Sequence, residues 1–123
     1  MLERVLDWMP HLTKLGIYED HSLVPADIAR LQRFPNLRVL VLVFDSNPLC
    51  EAFLDEASRI KHLVEFELVC PWLTDRMVEQ LARAGQMQRV LISPRYKDTP
   101  AQVQALKNAL PHCNTYVRQA RMF

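Results

Sequence analysis

Apolar residues recur along this chain as one six-residue phrase, apolar-x-x-apolar-x-apolar, written four times. The copies are Leu12, Leu15 and Ile17; Leu37, Leu40 and Leu42; Leu63, Phe66 and Leu68; Met87, Val90 and Ile92. Their first members lie 25, 26 and 24 residues apart. The last three residues of each copy alternate apolar and variable, and the phrases are short and rich in Val, Leu and Ile, so each reads as a strand. A near-constant interval is what stacked units require, because every unit must present the same face to its neighbours.

Between the phrases the period changes from two to three and four. Ile28, Leu31 and Phe34 predict a helix over Ala26–Phe34. Phe53, Leu54, Ala57 and Ile60 predict one over Leu49–Ile60. Met77, Val78 and Leu81 do the same for Thr74–Ala84, and Val103, Leu106 and Leu110 for Pro100–Leu110, since such spacings share one helix face. The flanking residues agree. Pro25 with Asp27, Thr74-Asp75 and Asp98-Thr99-Pro100 are start signals. Gly85 is placed to end the third helix in the left-handed region. Leu2, Val5, Leu6 and Met9 read as a leading helix, and His112–Val117 as a degenerate fifth phrase, Val117 falling 25 residues after Ile92.

Strand, loop and helix at a fixed period mean parallel strands joined by right-handed crossovers. Two architectures satisfy this pattern: an open right-handed α/β solenoid of four to five units with a bare concave sheet, or a compact sheet covered by helices on both faces. Val39–Phe44 is apolar throughout, as a doubly covered strand would be. Glu65 and Glu67, however, stand at the corresponding outer positions of the third strand, where burial without partners is costly. Together with the period, they favour the open form, as a single domain over residues 1–123 that is a fragment or degenerate relative of a longer array.

Composition narrows the setting. Half the residues are hydrophobic and 24% charged, the balance of a soluble globular chain. No apolar run is long enough to cross a bilayer. Charges within the first eight residues argue against a cleaved signal peptide. Cys50, Cys70 and Cys113 are an odd count without paired spacing and read as buried thiols in a reducing, cytoplasmic or nuclear compartment. Charge is polarised: residues 1–75 carry seven Lys/Arg against twelve Asp/Glu, a net of −5, and residues 76–123 eight against two, a net of +6. No aromatic-interleaved basic cluster points to nucleic acid.

These phrases resemble the leucine-rich-repeat family, whose signature is L-x-x-L-x-L, over roughly residues 1–118. The third unit, Leu63, Phe66, Leu68, Cys70, then Leu73-Thr74-Asp75, Met77-Val78 and Leu81-Ala82, resembles the cysteine-containing repeats of F-box proteins, with a loop one residue shorter than theirs. The ending, Leu106, Leu110-Pro111 and Cys113, is similar to the close of many such arrays. The resemblance implies an interaction module, of the kind that forms the substrate-recognition part of an F-box-like ubiquitin-ligase subunit; the F-box itself is not visible in this sequence.

Catalytic signals are sparse. Two glycines, Gly16 and Gly85, exclude a glycine-rich phosphate cradle. His11 and His62 hold equivalent places two units apart, too distant to share a metal, and His112-Cys113 lacks ligand spacing. The expectation is therefore no enzyme, no catalytic residues, no cofactor and no metal, the alternative being a small α/β enzyme or ligand-binding domain with a doubly covered sheet. Trp8 and Trp72 are expected to pack in core or loop. The outer strand positions form three columns: Lys14, Val39, Glu65, Arg89; Gly16, Val41, Glu67, Leu91; Tyr18, Val43, Val69, Ser93. From these, Lys14, Tyr18, Val39, Val41, Val43, Glu65, Glu67, Val69, Arg89 and Leu91 are assigned to a partner-binding face, an apolar patch rimmed by charge. A protein partner is expected, with no nucleic acid and no membrane. Self-association through poorly capped unit ends is the second expectation.

Overall fold

The computed structural model describes residues 11–18, 23–97 and 99–118. Five strands form one open sheet in sequence order: β1 (Lys14–Tyr18), β2 (Val39–Val43), β3 (Glu65–Cys70), β4 (Arg89–Pro94) and β5 (Asn114–Val117). Every neighbouring pair is parallel. Parallel pairing needs a long return connection, and a helix supplies each one. The helices are α1 (Ala26–Ala29), continued as a 3-10 turn over Arg30–Arg33, then α2 (Asn47–Ala57), α3 (Asp75–Arg83) and α4 (Pro100–Ala109).

The register follows the repeated phrase. Leu15, Leu40, Phe66, Val90 and Thr115 are successive partners, as are Ile17, Leu42, Leu68, Ile92 and Val117. On β2, β3 and β4 these two rows are at most 1% exposed. They share one core with Ile28, Leu31, Cys50, Phe53, Met77, Leu81 and Leu106 from the helices. The rings of Phe44 and Phe53 meet with centroids 4.9 Å apart and planes tilted 35°, a favourable arrangement for an aromatic pair. The alternate residues of β2, Val39, Val41 and Val43, are only partly buried. Consecutive helices contact one another, α1 with α2, α2 with α3 and α3 with α4.

Helix starts are fixed by local chemistry. Ser46 Oγ accepts the Leu49 N–H at 3.4 Å to cap α2, and Thr74 Oγ1 accepts the Met77 N–H at 3.1 Å to cap α3. Thr74 also donates to Glu51 Oε2 at 2.6 Å, while the Gln80 amide donates to the Glu51 carbonyl at 2.8 Å, so α2 and α3 are tied through one residue. Gln102 on α4 donates to Asp75 Oδ1 on α3 at 3.1 Å.

Several expectations need correction. The first helix is a single α turn completed as a 3-10 turn, and α2 begins at Asn47 rather than Leu49. Thr99 makes no side-chain cap. Gly85 does not adopt a left-handed conformation; α3 closes instead at Ala84, whose N–H bonds to the Leu81 carbonyl and whose carbonyl takes the Met87 N–H, each at 3.0 Å. Leu15 and Val103, expected inside, are partly buried, and Ser93, expected outside, is 3% exposed. The leading segment with Leu2, Val5, Leu6, Trp8 and Met9 lies outside the described residues, as do His21 and Asp98. Among the described residues no helix is long and apolar enough to cross a membrane.

Candidate binding face

Alternation along a strand sends every second side chain to the side opposite the core. The register therefore lines up the three columns read from the sequence: Lys14, Val39, Glu65 and Arg89; Gly16, Val41, Glu67 and Leu91; Tyr18, Val43, Val69 and Ser93. β5 extends the first two with Asn114 and Tyr116. All ten residues assigned to the face fall in these columns. Val39, Val41, Val43, Val69 and Leu91 are partly buried, Lys14 and Arg89 exposed, and Tyr18 is 66% exposed. A Cβ at Gly16 would touch the Tyr18 ring at 3.6 Å, so that ring leans back along β1.

The charges on this face balance one another. Lys14 Nζ lies 3.8 Å from Glu67 Oε1, and Arg89 Nη1 lies 3.6 Å from Glu65 Oε1. Lys14 is on β1 and Glu67 on β3, so this pair spans β2. The Arg89 guanidinium sits 5.3 Å from the centre of the Tyr116 ring, within cation–π range. Both ion pairs exceed hydrogen-bond length and involve exposed cations, so each contributes at most about 1 kcal/mol. The Glu65 and Glu67 carboxylates are thus partly buried and ion-paired.

Just beyond the carboxyl ends of β2, β3 and β4 lie several polar and aromatic side chains. Tyr96 Oη donates to Asp45 Oδ1 at 2.9 Å, and Arg95 Nη1 lies 3.9 Å from the same oxygen. The hydrogen bond to the carboxylate raises the Tyr96 phenol above its ordinary pKa. Trp72, 42% exposed, is pinned through its backbone and indole. The Asn47 side chain accepts from Trp72 Nε1 at 3.0 Å and donates to its carbonyl at 3.1 Å. Sequence reasoning expected Trp72 to pack in core or loop, and missed both its Asn47 partner and the Asp45–Tyr96 pair. One signal was present: Trp72 and Tyr96 each stand four residues beyond the last apolar member of the repeated phrase, Leu68 and Ile92.

The remaining chemistry is quiet. Burial, assisted by the Arg38 charge, lowers the His62 pKa against the opposing pull of the Leu31 and Phe34 backbone, which favours neutral imidazole. Cys50 and Cys70 are fully buried; burial pushes the Cys70 thiol up to about 12 and Cys50 higher still. Cys113 is half-buried, its pKa also raised by burial. Among the described residues no three His, Cys, Asp or Glu side chains come together as a metal site. No protein-family model matches the chain, and no curated protein matches it significantly.

Proposed function

We propose that the chain is a leucine-rich-repeat-like solenoid that binds a protein partner on the outer face of its sheet. The observation that carries this reading is the contiguous strip of Val39, Val41, Val43, Val69 and Leu91, left partly exposed beside weakly paired charges. An apolar strip with a charged border is the composition of an interface core and rim. Trp72, Tyr96 and Arg95 at one end are residue types that carry binding energy when desolvated, and Asn47 and Asp45 already hold the two aromatics in place. The likeness of the third unit to the repeats of F-box proteins makes substrate recognition for a ubiquitin ligase the specific form of this proposal. The competing architecture, with helices on both faces, is disfavoured by the unequal burial of alternate strand residues.

The test is capture of partners from a lysate by the immobilised chain, identified by mass spectrometry. Val41→Glu places a carboxylate where contact would exclude water, at a cost of several kcal/mol, and is expected to reduce capture at least about a hundredfold with an unchanged circular dichroism spectrum. Leu106→Glu, in the core, is the unfolding control. Identical capture by the parent and Val41→Glu would remove this face as the site.

A further inference from the structure

The position four residues before the first apolar member of the phrase is a cation in three successive units: Arg33 before Leu37, Arg59 before Leu63 and Arg83 before Met87. The strand register keeps the same intervals, Val39 pairing with Glu65 and Glu65 with Arg89, so the three hold one place in the stack. Between the second and third of them lies a pocket of about 440 Å3, lined by Ser58, Arg59, Lys61, Arg83 and Gln86. It stands where α2 and α3 end and the chain turns into β3 and β4, at the opposite end of the strands from Trp72 and Tyr96. The lining holds three cations and no acid.

One residue behind the lining gathers two of these cations. Asp55 Oδ2 accepts from Arg59 Nη2 at 3.3 Å and Asp55 Oδ1 from Arg83 Nη1 at 3.2 Å, so a single carboxylate takes guanidinium groups from two units. Each arginine spends one nitrogen on Asp55 and keeps further N–H donors. Lys61 is exposed and makes no hydrogen bond or ion pair among the described residues. The surrounding backbone is tied down: the Gln86 amide donates to the Ile60 carbonyl at 3.1 Å, and Ser58 Oγ donates to the Asp55 carbonyl at 3.0 Å. Neighbouring units lack this arrangement. The register puts Ala29 and Glu79 at the place of Asp55, and Pro35 and Gly85 at that of Lys61.

Three cations against one carboxylate leave a surplus of two positive charges. Desolvation raises the Asp55 pKa, yet the Arg83 hydrogen bond and the arginine charges leave it lowered, so the local field favours anions. The surplus also selects among them. A second carboxylate would neutralise half of it, whereas a phosphoryl group at neutral pH brings about −1.5 to −2 charges and three strong acceptor oxygens. Guanidinium forks match those oxygens in geometry, and a lysine adds a point charge.

We propose that this pocket binds a phosphoryl dianion, held by the free N–H groups of Arg59 and Arg83 and by the Lys61 ammonium. The site is separate from the sheet face and does not depend on a partner there.

The test is NMR of the full, isotope-labelled chain titrated with inorganic phosphate at about pH 7.5, where the dianion predominates. Sodium chloride holds the ionic strength constant. The amides of Arg59, Lys61 and Gln86 and the Nε–H signals of Arg59 and Arg83 should shift saturably, with a Kd on the order of 1 mM. Lys61→Gln and Arg83→Gln, both at exposed positions, should each weaken binding at least about tenfold. Val41→Glu should leave it unchanged, so a failure of the sheet face and a failure of the pocket are read separately. A blocked tripeptide with phosphoserine between two glycines identifies the source. Binding tighter than that of inorganic phosphate assigns the pocket to phosphorylated protein segments; equal or weaker binding assigns it to free phosphate and its small esters. The same tripeptide with glutamate in the centre should bind at least about tenfold more weakly than the phosphoserine form. Shifts that stay linear up to about 20 mM phosphate, or that chloride alone reproduces, would overturn the proposal. Parent-like binding by Lys61→Gln or equal binding of the glutamate tripeptide would do the same. Should Arg83→Gln lose its folded spectrum, Lys61→Gln decides, because Lys61 makes no internal bond.

Discussion

Leu40 and Val41 are adjacent on β2 and point to opposite faces of the sheet, so truncating each to alanine measures how differently the two faces are covered. Leu40 is fully buried in the inner row, with Leu15 and Phe66 as its partners in register. Leu40→Ala removes three carbons, about 2 kcal/mol of transfer free energy at 0.8 kcal/mol per methylene. The hydrogen-bonded strands on either side hold their places, so the void collapses little and its cost adds to the transfer loss. The expected total is about 3–4 kcal/mol. Val41 is partly exposed, and Val41→Ala removes two carbons that already meet water, for about 1 kcal/mol or less including the lost strand preference. Urea unfolding followed by circular dichroism reads the difference. With a slope of about 1–3 kcal/mol per molar, Leu40→Ala should lower the midpoint by roughly 1–4 M and leave the slope unchanged. The shift for Val41→Ala should be about a quarter as large. Equal large losses would mean that both faces are buried and the sheet is doubly covered. A Leu40→Ala loss below about 1 kcal/mol would refute the inner row as core.

Thr74→Ala removes the α3 cap and the bond to Glu51, and should cost about 1–2 kcal/mol by the same urea assay. Thr99→Ala, whose side chain caps nothing, should cost less than half that. Asp55 is pulled two ways: desolvation raises its pKa, but the Arg83 hydrogen bond and the Arg59 and Arg83 charges outweigh it and leave a net lowering. Its contribution to stability is therefore present above the unfolded pKa of about 3.9 and lost as pH falls through the lower folded value. The stability gap between the parent and Asp55→Asn should accordingly narrow on acidification from about pH 5, measured by thermal unfolding at each pH. In the native protein at pH 8, Ellman's reagent should titrate one thiol, the half-buried Cys113, and reach Cys50 and Cys70 only on denaturation. Rapid titration of all three thiols would contradict the burial of the central pair.

The strand rows were legible because one phrase sets both the strand and its register. Leu15, Leu40, Phe66 and Val90 can align only if each unit repeats the same length of chain, and a slip by one residue would turn every row to the other face. Ser46 and Thr74 as caps are likewise local, each bonding three residues ahead. Gly85 misled because glycine permits the left-handed region without requiring it, and Ala84 closes α3 without it. Val103 misled for another reason. Its helical spacing matches that of Met77 and Phe53, but spacing does not record how closely another element packs over the side chain. The bonds that hold the two aromatics were illegible because Asp45 and Tyr96 are 51 residues apart, as Asn47 and Trp72 are also distant in sequence. No local period links such pairs; only the stacking of strands brings them together.

The two kinds of charge placement have different consequences for any partner of the sheet face. Lys14 with Glu67, and Glu65 with Arg89, lie beyond hydrogen-bond distance and are open to water, so exchanging either for a partner's charge costs little. Such pairs discriminate mainly by repulsion: a ligand that sets a carboxylate over β3 meets Glu65 and Glu67 together, whereas one that sets a cation there does not. Asp45 and Asn47 act differently. Their hydrogen bonds fix Tyr96 and Trp72 before binding, so little side-chain freedom remains to be lost on contact. On the proposed reading, affinity therefore comes from the valine strip and the held aromatics, and choice of partner from the charges between them. Removing the brace with Asn47→Ala should weaken capture more than removing the surface pair with Lys14→Ala, although Asn47 is buried and Lys14 lies on the face itself.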